Sequence, residues 1–258
     1  MRIEKLKNGT TIELYESIEE LPLKRFHKYN KFILIDSGIG SDLNDINGHI
    51  SRTEQMISHD PRMALKELEN LRQCIFLIVN ETSPRHLAFA ALIHSVNGKV
   101  VTDISDEGLK RVLDMVNKAN VGWVDKLFDS AKKKISSEIN VYFKTDDSKL
   151  IEFYELLLKK SRLQIQEVLT DTDQQKRITP IEKDLLYLTA PKSFSGGHSV
   201  EVLFDKRFEN NCILLRKELS IDPNIITAFE YLTALDTLNE MAREARRELA
   251  KDNRHGRQ

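Results

Sequence analysis

The chain has 258 residues, 40% hydrophobic and 31% charged, enough for a sizeable core and a globular rather than disordered or fibrous make-up. Its 39 Lys and Arg against 40 Asp and Glu leave a net charge of −1, so attraction of the whole molecule to nucleic acid or anionic membrane is not expected, and only a local basic patch remains open. Ten glycines and six prolines are too few for the tight turns of a β-sandwich or barrel.

The N-terminal residues MRIEKLKNGTTIELY alternate apolar and polar positions around Asn8-Gly9, a pair suited to the positive φ angles of a type I′ turn. A β-hairpin is expected over residues 1–15. This stretch lacks the apolar segment of a signal peptide, and no run approaches the ~18 apolar residues that span a bilayer. A soluble chain made in a reducing compartment is therefore expected. Cys74 and Cys212 both lie in apolar helical patterns and read as buried free thiols rather than a disulfide or metal ligands.

After Tyr15 the pattern becomes helical. Ser17 and Glu20 have capping-box spacing, and Pro22 forces a kink or a fresh start near Leu21. Asp60-Pro61, Ser83-Pro84, Thr179-Pro180 and Asp222-Pro223 each join a cap residue to a proline at the first helical position, predicting four helix starts. The predicted helices span approximately 22–36, 41–57, 60–80, 84–95, 105–118, 121–143, 147–170, 180–189, 202–219 and 222–250. In the sixth, Val124, Leu127, Phe128, Ala131, Ile135, Ile139 and Tyr142 recur every three or four residues. In the last, Ala228, Leu232, Leu235, Ala242, Ala245 and Leu249 do so, which suits an intramolecular bundle, with a coiled coil to a neighbouring chain as the alternative. Lys192 to Phe204 breaks the rule: paired glycines precede alternating Val200, Val202 and Phe204, a loop with a short β-arm. The expected fold is one mainly α domain. It is a multi-helix bundle with the hairpin (1–15), a helical body (16–190), the loop and arm (191–204), C-terminal helices (205–250) and a polar tail (251–258).

Candidate chemistry is sparse. Asp36, Asp42, Asn44 and Asp45 surround Gly38 and Gly40, and oxygen ligands on a glycine-rich turn suit calcium or magnesium. The spacing is not that of an EF-hand, however. The simpler reading is that Gly38 or Gly40 ends one helix and Ser41 caps the next, with Asp42 at a favourable N-terminus. The seven histidines include no pair at zinc-ligand spacing, and Ser195-Gly196-Gly197-His198 has no identifiable base, so neither a catalytic residue, a cofactor nor a metal is assigned. Lys24, Arg25, His27, Lys28, Tyr29 and Lys31 form a basic, aromatic-interleaved run, and Arg243, Arg246 and Arg247 a second one weakened by Glu240, Glu244 and Glu248. With Phe194, Val200 and Val202 of the arm, these are the expected partner-contact residues.

LPLKRFHKYNKFILIDSGIGSDLNDINGHI (21–50), preceded by KNGTTIELYESIEE, resembles a virion protein family of tailed bacteriophages of the crAss-like group, as do KELENLRQ (66–73) and SPRHLAFA (83–90). A weaker likeness covers Phe204 to Leu219. None of these is a catalytic signature. The resemblance implies a structural, non-enzymatic subunit of the portal–tail connector. Such a subunit would tile with copies of itself into a ring, beside portal and other tail proteins and near packaged DNA, in a virion assembled in the bacterial cytoplasm. The alternative is an assembly chaperone or adaptor absent from the mature particle, and an enzyme using the Asp36–Asp45 loop with a metal ranks below both.

Overall fold

The computed structural model describes residues 1–6, 9–117, 121–143 and 148–255, apart from the side chains of 117, 121–123 and 249–255. In chain order the elements are β1 (Arg2–Lys5), β2 (Thr11–Leu14), α1 (Leu23–Gly38), α2 (Leu43–Ile57), α3 (Pro61–Val79), α4 (Pro84–Leu92), β3 (Ile93–Val96), β4 (Lys99–Val100), α5 (Asp106–Asn117), α6 (Val121–Tyr142), α7 (Ser148–Thr170), α8 (Gln175–Leu188), α9 (Val200–Leu219) and α10 (Ala228–His255). The protein is mainly helical, as its sparse turn residues require. Contacts gather it into two compact units, one of Met1–Asp36, Thr82–Phe143 and Glu201–Gln258, the other of Ser37–Glu81 and Lys144–Val200.

The first unit holds the hairpin. β1 and β2 pair antiparallel with Lys5 opposite Thr11, and Gly9 takes a φ of 84°, which glycine adopts without a Cβ penalty. Asn8, the other half of the expected turn, lies outside the described residues. Ile12 and Leu14 point inward and are buried. The hairpin extends into an antiparallel sheet in the order β1-β2-β3-β4, a feature the helical reading of 84–95 missed. That helix stops at Leu92. Asn97 (φ 51°) and Gly98 (φ 74°) then turn β3 into β4. The sheet outcompetes the helix because β2 offers Ile93–Val96 a ready edge and Leu92 O takes the Tyr15 amide.

α4 lies at the centre of this core. Leu87 through Leu92 are all buried, and the small Ala88, Ala90 and Ala91 admit close neighbours on every side. α5 and α6 pack on it, and the same core takes in Leu109 and Val116 of α5, Val124, Phe128 and Ile135 of α6, Leu215 of α9, and Ala228 and Tyr231 of α10. The predicted stripe of α6 is thus the buried one, except that Tyr142 at its end is exposed. Burying Phe89 alone is worth roughly 3 kcal/mol.

The proline rule holds at two of four sites. Asp60 and Ser83 accept amide hydrogen bonds ahead of Pro61 and Pro84. Pro180 instead sits inside α8, which begins at Gln175 because Asp173 accepts the Gln175 amide and Ile178 must be buried with Ile181. Asp222 holds the Asn224 amide in a turn around Pro223, and α10 starts at Ala228, where Thr227 and Glu230 exchange hydrogen bonds as a capping box. The expected β-arm is not a strand: residues 191–199 are a loop and 200–204 open α9. The expected bundle packing of the last helix also stops early. α10 is buried at Ala228, Tyr231 and Ala234, whereas 239–248 are exposed on every face; the Leu249 side chain lies outside the described residues.

The second unit is two helical hairpins. In the first, Cys74 lies by Asp42 and Glu67 by His49, so α2 and α3 run antiparallel. In the second, Leu163 packs with Ile178 and Ile181, and Lys160 meets Glu182 at 2.9 Å, so α7 and α8 do too. Gly38 ends α1 and Gly40 takes the left-handed φ of 69°, but the cap of α2 is Asp42, not Ser41. Asp42 accepts the Asp45 amide at 2.9 Å while Asp45 accepts those of Ser41 and Asp42. A carboxylate wins this position because it also meets the positive end of the helix.

Candidate functional site

The basic run of α1 faces its own unit. Arg25 and Tyr29, expected at a contact surface, are buried. The Arg25 guanidinium donates to the carbonyls of Ala91 (3.0 Å), Ile93 (2.8 Å) and Val101, covering the C-terminal end of α4. His27 lies between the rings of Phe208 and Phe204, at 3.8 and 4.9 Å, with Asp205 3.0 Å from Nε2. Burial between those rings lowers its pKa despite the carboxylate. Lys31 reaches Asp205 at 2.6 Å and Glu201 at 3.9 Å. Lys28 pairs with Asp106 and lies over Phe32, and Lys24 is exposed.

The residues read as a β-arm therefore supply the acidic and aromatic partners of α1. Phe204 and Phe208 are four apart, as are Glu201 and Asp205, so one helical face of α9 delivers all four. Burial opposes ionisation of Asp205, yet its bonds to Lys31 and His27 hold its pKa below the ordinary value. Burial raises that of Glu201. His27, Lys28 and Lys31 are thus paired with acids of their own unit. Val200 and Val202 are half-buried, Phe194 is buried against Gly38, and Arg243, Arg246 and Arg247 are exposed on the projecting half of α10.

In the second unit the sequence reading missed a buried polar cluster. His49 Nδ1 lies 2.8 Å from Glu67 and Nε2 lies 2.7 Å from the carbonyl of Ile39, while Arg52 donates to the same carboxylate. Both imidazole nitrogens face acceptors, with the Arg52 guanidinium also 3.0 Å from Nδ1; burial opposes protonation of the ring, but the carboxylate and carbonyl raise its pKa. A cavity of about 300 Å³, lined by Gly38, Arg52, Glu67, Asn70 and Phe194, opens beside it. The acid is already paired and His49 is 1% exposed, and the cluster fastens the Ile39 turn onto α2 and α3. No sequence period marks it: His49 and Glu67 are adjacent only after the hairpin folds. Cys74, near Asp42, has its thiol pushed up to about 11, mainly by burial. Among the described residues no group of three His, Cys, Asp or Glu could hold a metal ion, and no helix is long and apolar enough to cross a membrane.

What the second unit does present is apolar surface. Its buried hydrophobics include Met56, Met63 and Ala64 in one cluster and Leu163, Ile178 and Ile181 in another, besides Ile39, Cys74 and Phe194. Yet α2 exposes Leu43, Ile50 and Ile57 at seven-residue intervals, and α3 exposes Leu65, Leu68, Ile75, Phe76 and Val79. Side chains of this size in repeating rows mark an interaction surface. Comparison with known proteins adds nothing to this geometry: no protein-family model, no curated protein and no solved structure matches the chain.

Proposed function

We propose that this chain is a structural subunit of a phage portal–tail connector that assembles as a homo-oligomeric ring in the virion. The observation that carries the reading is the exposed apolar surface of the α2–α3 hairpin, where Phe76 is 62% and Val79 is 74% exposed. A surface of this kind meeting a different surface on the next copy is a heterologous contact, which generates a ring when the rotation between copies closes. The likeness of residues 21–50, 66–73 and 83–90 to crAss-like virion proteins supplies the setting. In this reading α2 and α3 replace the hairpin, the basic helix and the 192–204 segment as the contact elements, since the latter two are engaged within their own units.

Mass photometry of the full chain gives closed multimers, and Leu65→Asp with Phe76→Asp reduces them to smaller species. Mass spectrometry of purified virions then separates connector from assembly adaptor. A chain that is monomeric at micromolar concentration and absent from virions overturns the proposal.

A further inference from the structure

α7 carries a second apolar face, opposite the one that packs in its hairpin. Its inner side runs through Phe153, Leu156, Lys160, Leu163 and Glu167, with Leu163 against Ile178 and Ile181. The outer side is apolar as well. Leu150, Ile151, Tyr154, Leu157, Leu158, Ile165, Val168 and Leu169 are 40 to 83% exposed. At about 200 Å² for each large side chain, they present on the order of 900 Å². The largest patch on a typical monomer is roughly 300–600 Å², and each partner in a standard interface contributes about 800 Å².

The order of these residues says what covers them. Ile151, Tyr154, Leu158, Ser161, Ile165 and Val168 alternate steps of three and four, the seam of a coiled coil. The seam is complementary to itself when reversed. About a two-fold axis between Lys159 and Lys160, Ile151 meets the partner's Val168, Tyr154 meets the partner's Ile165, and Leu158 meets the partner's Ser161. Beside the seam, Glu155 then faces the partner's Arg162, and symmetry makes this ion pair twice. A parallel pairing would instead set Leu150 against Glu155 and Leu157 against Arg162, charge on hydrocarbon.

We propose that α7 is a self-association helix, through which two copies of this chain pair antiparallel. The contact is isologous and so distinct from the heterologous contact of a ring; it joins two chains, or two rings face to face.

Sedimentation of the full chain tests it. Glu155→Arg or Arg162→Glu alone sets like charges across the seam and weakens pairing about tenfold or more, while the double reversal restores it. Both residues are exposed, so the fold tolerates these changes, and circular dichroism checks that it does. Leu158→Glu abolishes pairing. Orientation is read separately: Cys74 and Cys212 are buried, so a spin label on Lys149→Cys reports alone. Antiparallel pairing adds an offset of about 30 Å along the helix axis to the lateral separation of the two labels, whereas parallel pairing leaves the lateral separation alone. Association unchanged by Leu158→Glu, a double reversal that fails to restore it, or a label distance without that offset each overturns the proposal.

Discussion

Arg25→Met asks whether the basic run of α1 serves the core or a partner. Arg25 is 7% exposed and donates to three backbone carbonyls, those of Ala91, Ile93 and Val101. Methionine keeps much of the apolar stem but offers no donor. A hydrogen bond from a charged group is worth about 1.5–3 kcal/mol net, and a carbonyl left buried without a donor costs a similar amount. The three bonds share one guanidinium whose own burial is unfavourable, enough to lower its pKa, so their sum is discounted. A loss of about 3 kcal/mol follows, or roughly 6–12 °C in Tm for a domain of this size. Arg25→Lys keeps the charge without the planar fork and recovers about half. Chemical denaturation followed by circular dichroism measures both. A loss below about 1 kcal/mol in Arg25→Met would refute the core role, and weakened assembly with unchanged stability would restore the partner role.

Three further outcomes follow from the second unit. His49 is raised above its ordinary value of 6.5, so its contribution is fully present below that pH and lost as pH rises through the folded value. Glu67 is lowered from 4.5, burial notwithstanding, by His49 and Arg52, so its contribution is present above 4.5 and lost as pH falls through the folded value. Stability of this unit therefore peaks between those two values; Glu67→Gln flattens both limbs, and a level wild-type profile from about pH 4 to 8 contradicts the coupling. Gly38→Ala sets a Cβ 2.1 Å from the buried Phe194 ring and costs about 1–3 kcal/mol, read by thermal melting, with Phe194→Leu in the same chain relieving part of it. Asp42→Ala removes one side of the α2 capping box and costs about 1 kcal/mol, while a change within error on urea denaturation would mean that Asp45 alone holds the turn.

The sequence was most legible where one local signal decided the outcome. Asn8-Gly9 foretold the hairpin, and the three-four spacing of Val124 to Ile135 foretold the buried face of α6. Asn97-Gly98 carries the same turn chemistry as Asn8-Gly9, but it follows the apolar run LAFAALI, where helix and strand periods cannot be told apart without the β2 edge. Val200, Val202 and Phe204 alternate like a strand, yet α1 selects helix there by rewarding a four-residue spacing of acids and rings. Thr179-Pro180 misled because burial of Ile178 reaches back beyond the cap. The basic run was visible as residues, but Asp205, which pairs with both His27 and Lys31, lies about 175 positions away, a distance no local pattern spans.

The interleaving of the units has a consequence for synthesis. The first unit is built from three separate passes of the chain, and its last pass brings Leu215, Ala228, Tyr231 and Ala234 to the core that already holds Ile12 and Phe89. The two hairpins of the second unit need only near neighbours in sequence and can form as they leave the ribosome. The N-terminal strands instead wait for the final helix, an interval of about 10–40 s at ~5–20 residues per second. For that time Ile12 and Leu14 have only part of their cover, and the nascent chain depends on whatever shields it. A translation pause before Ala228 lengthens the exposure.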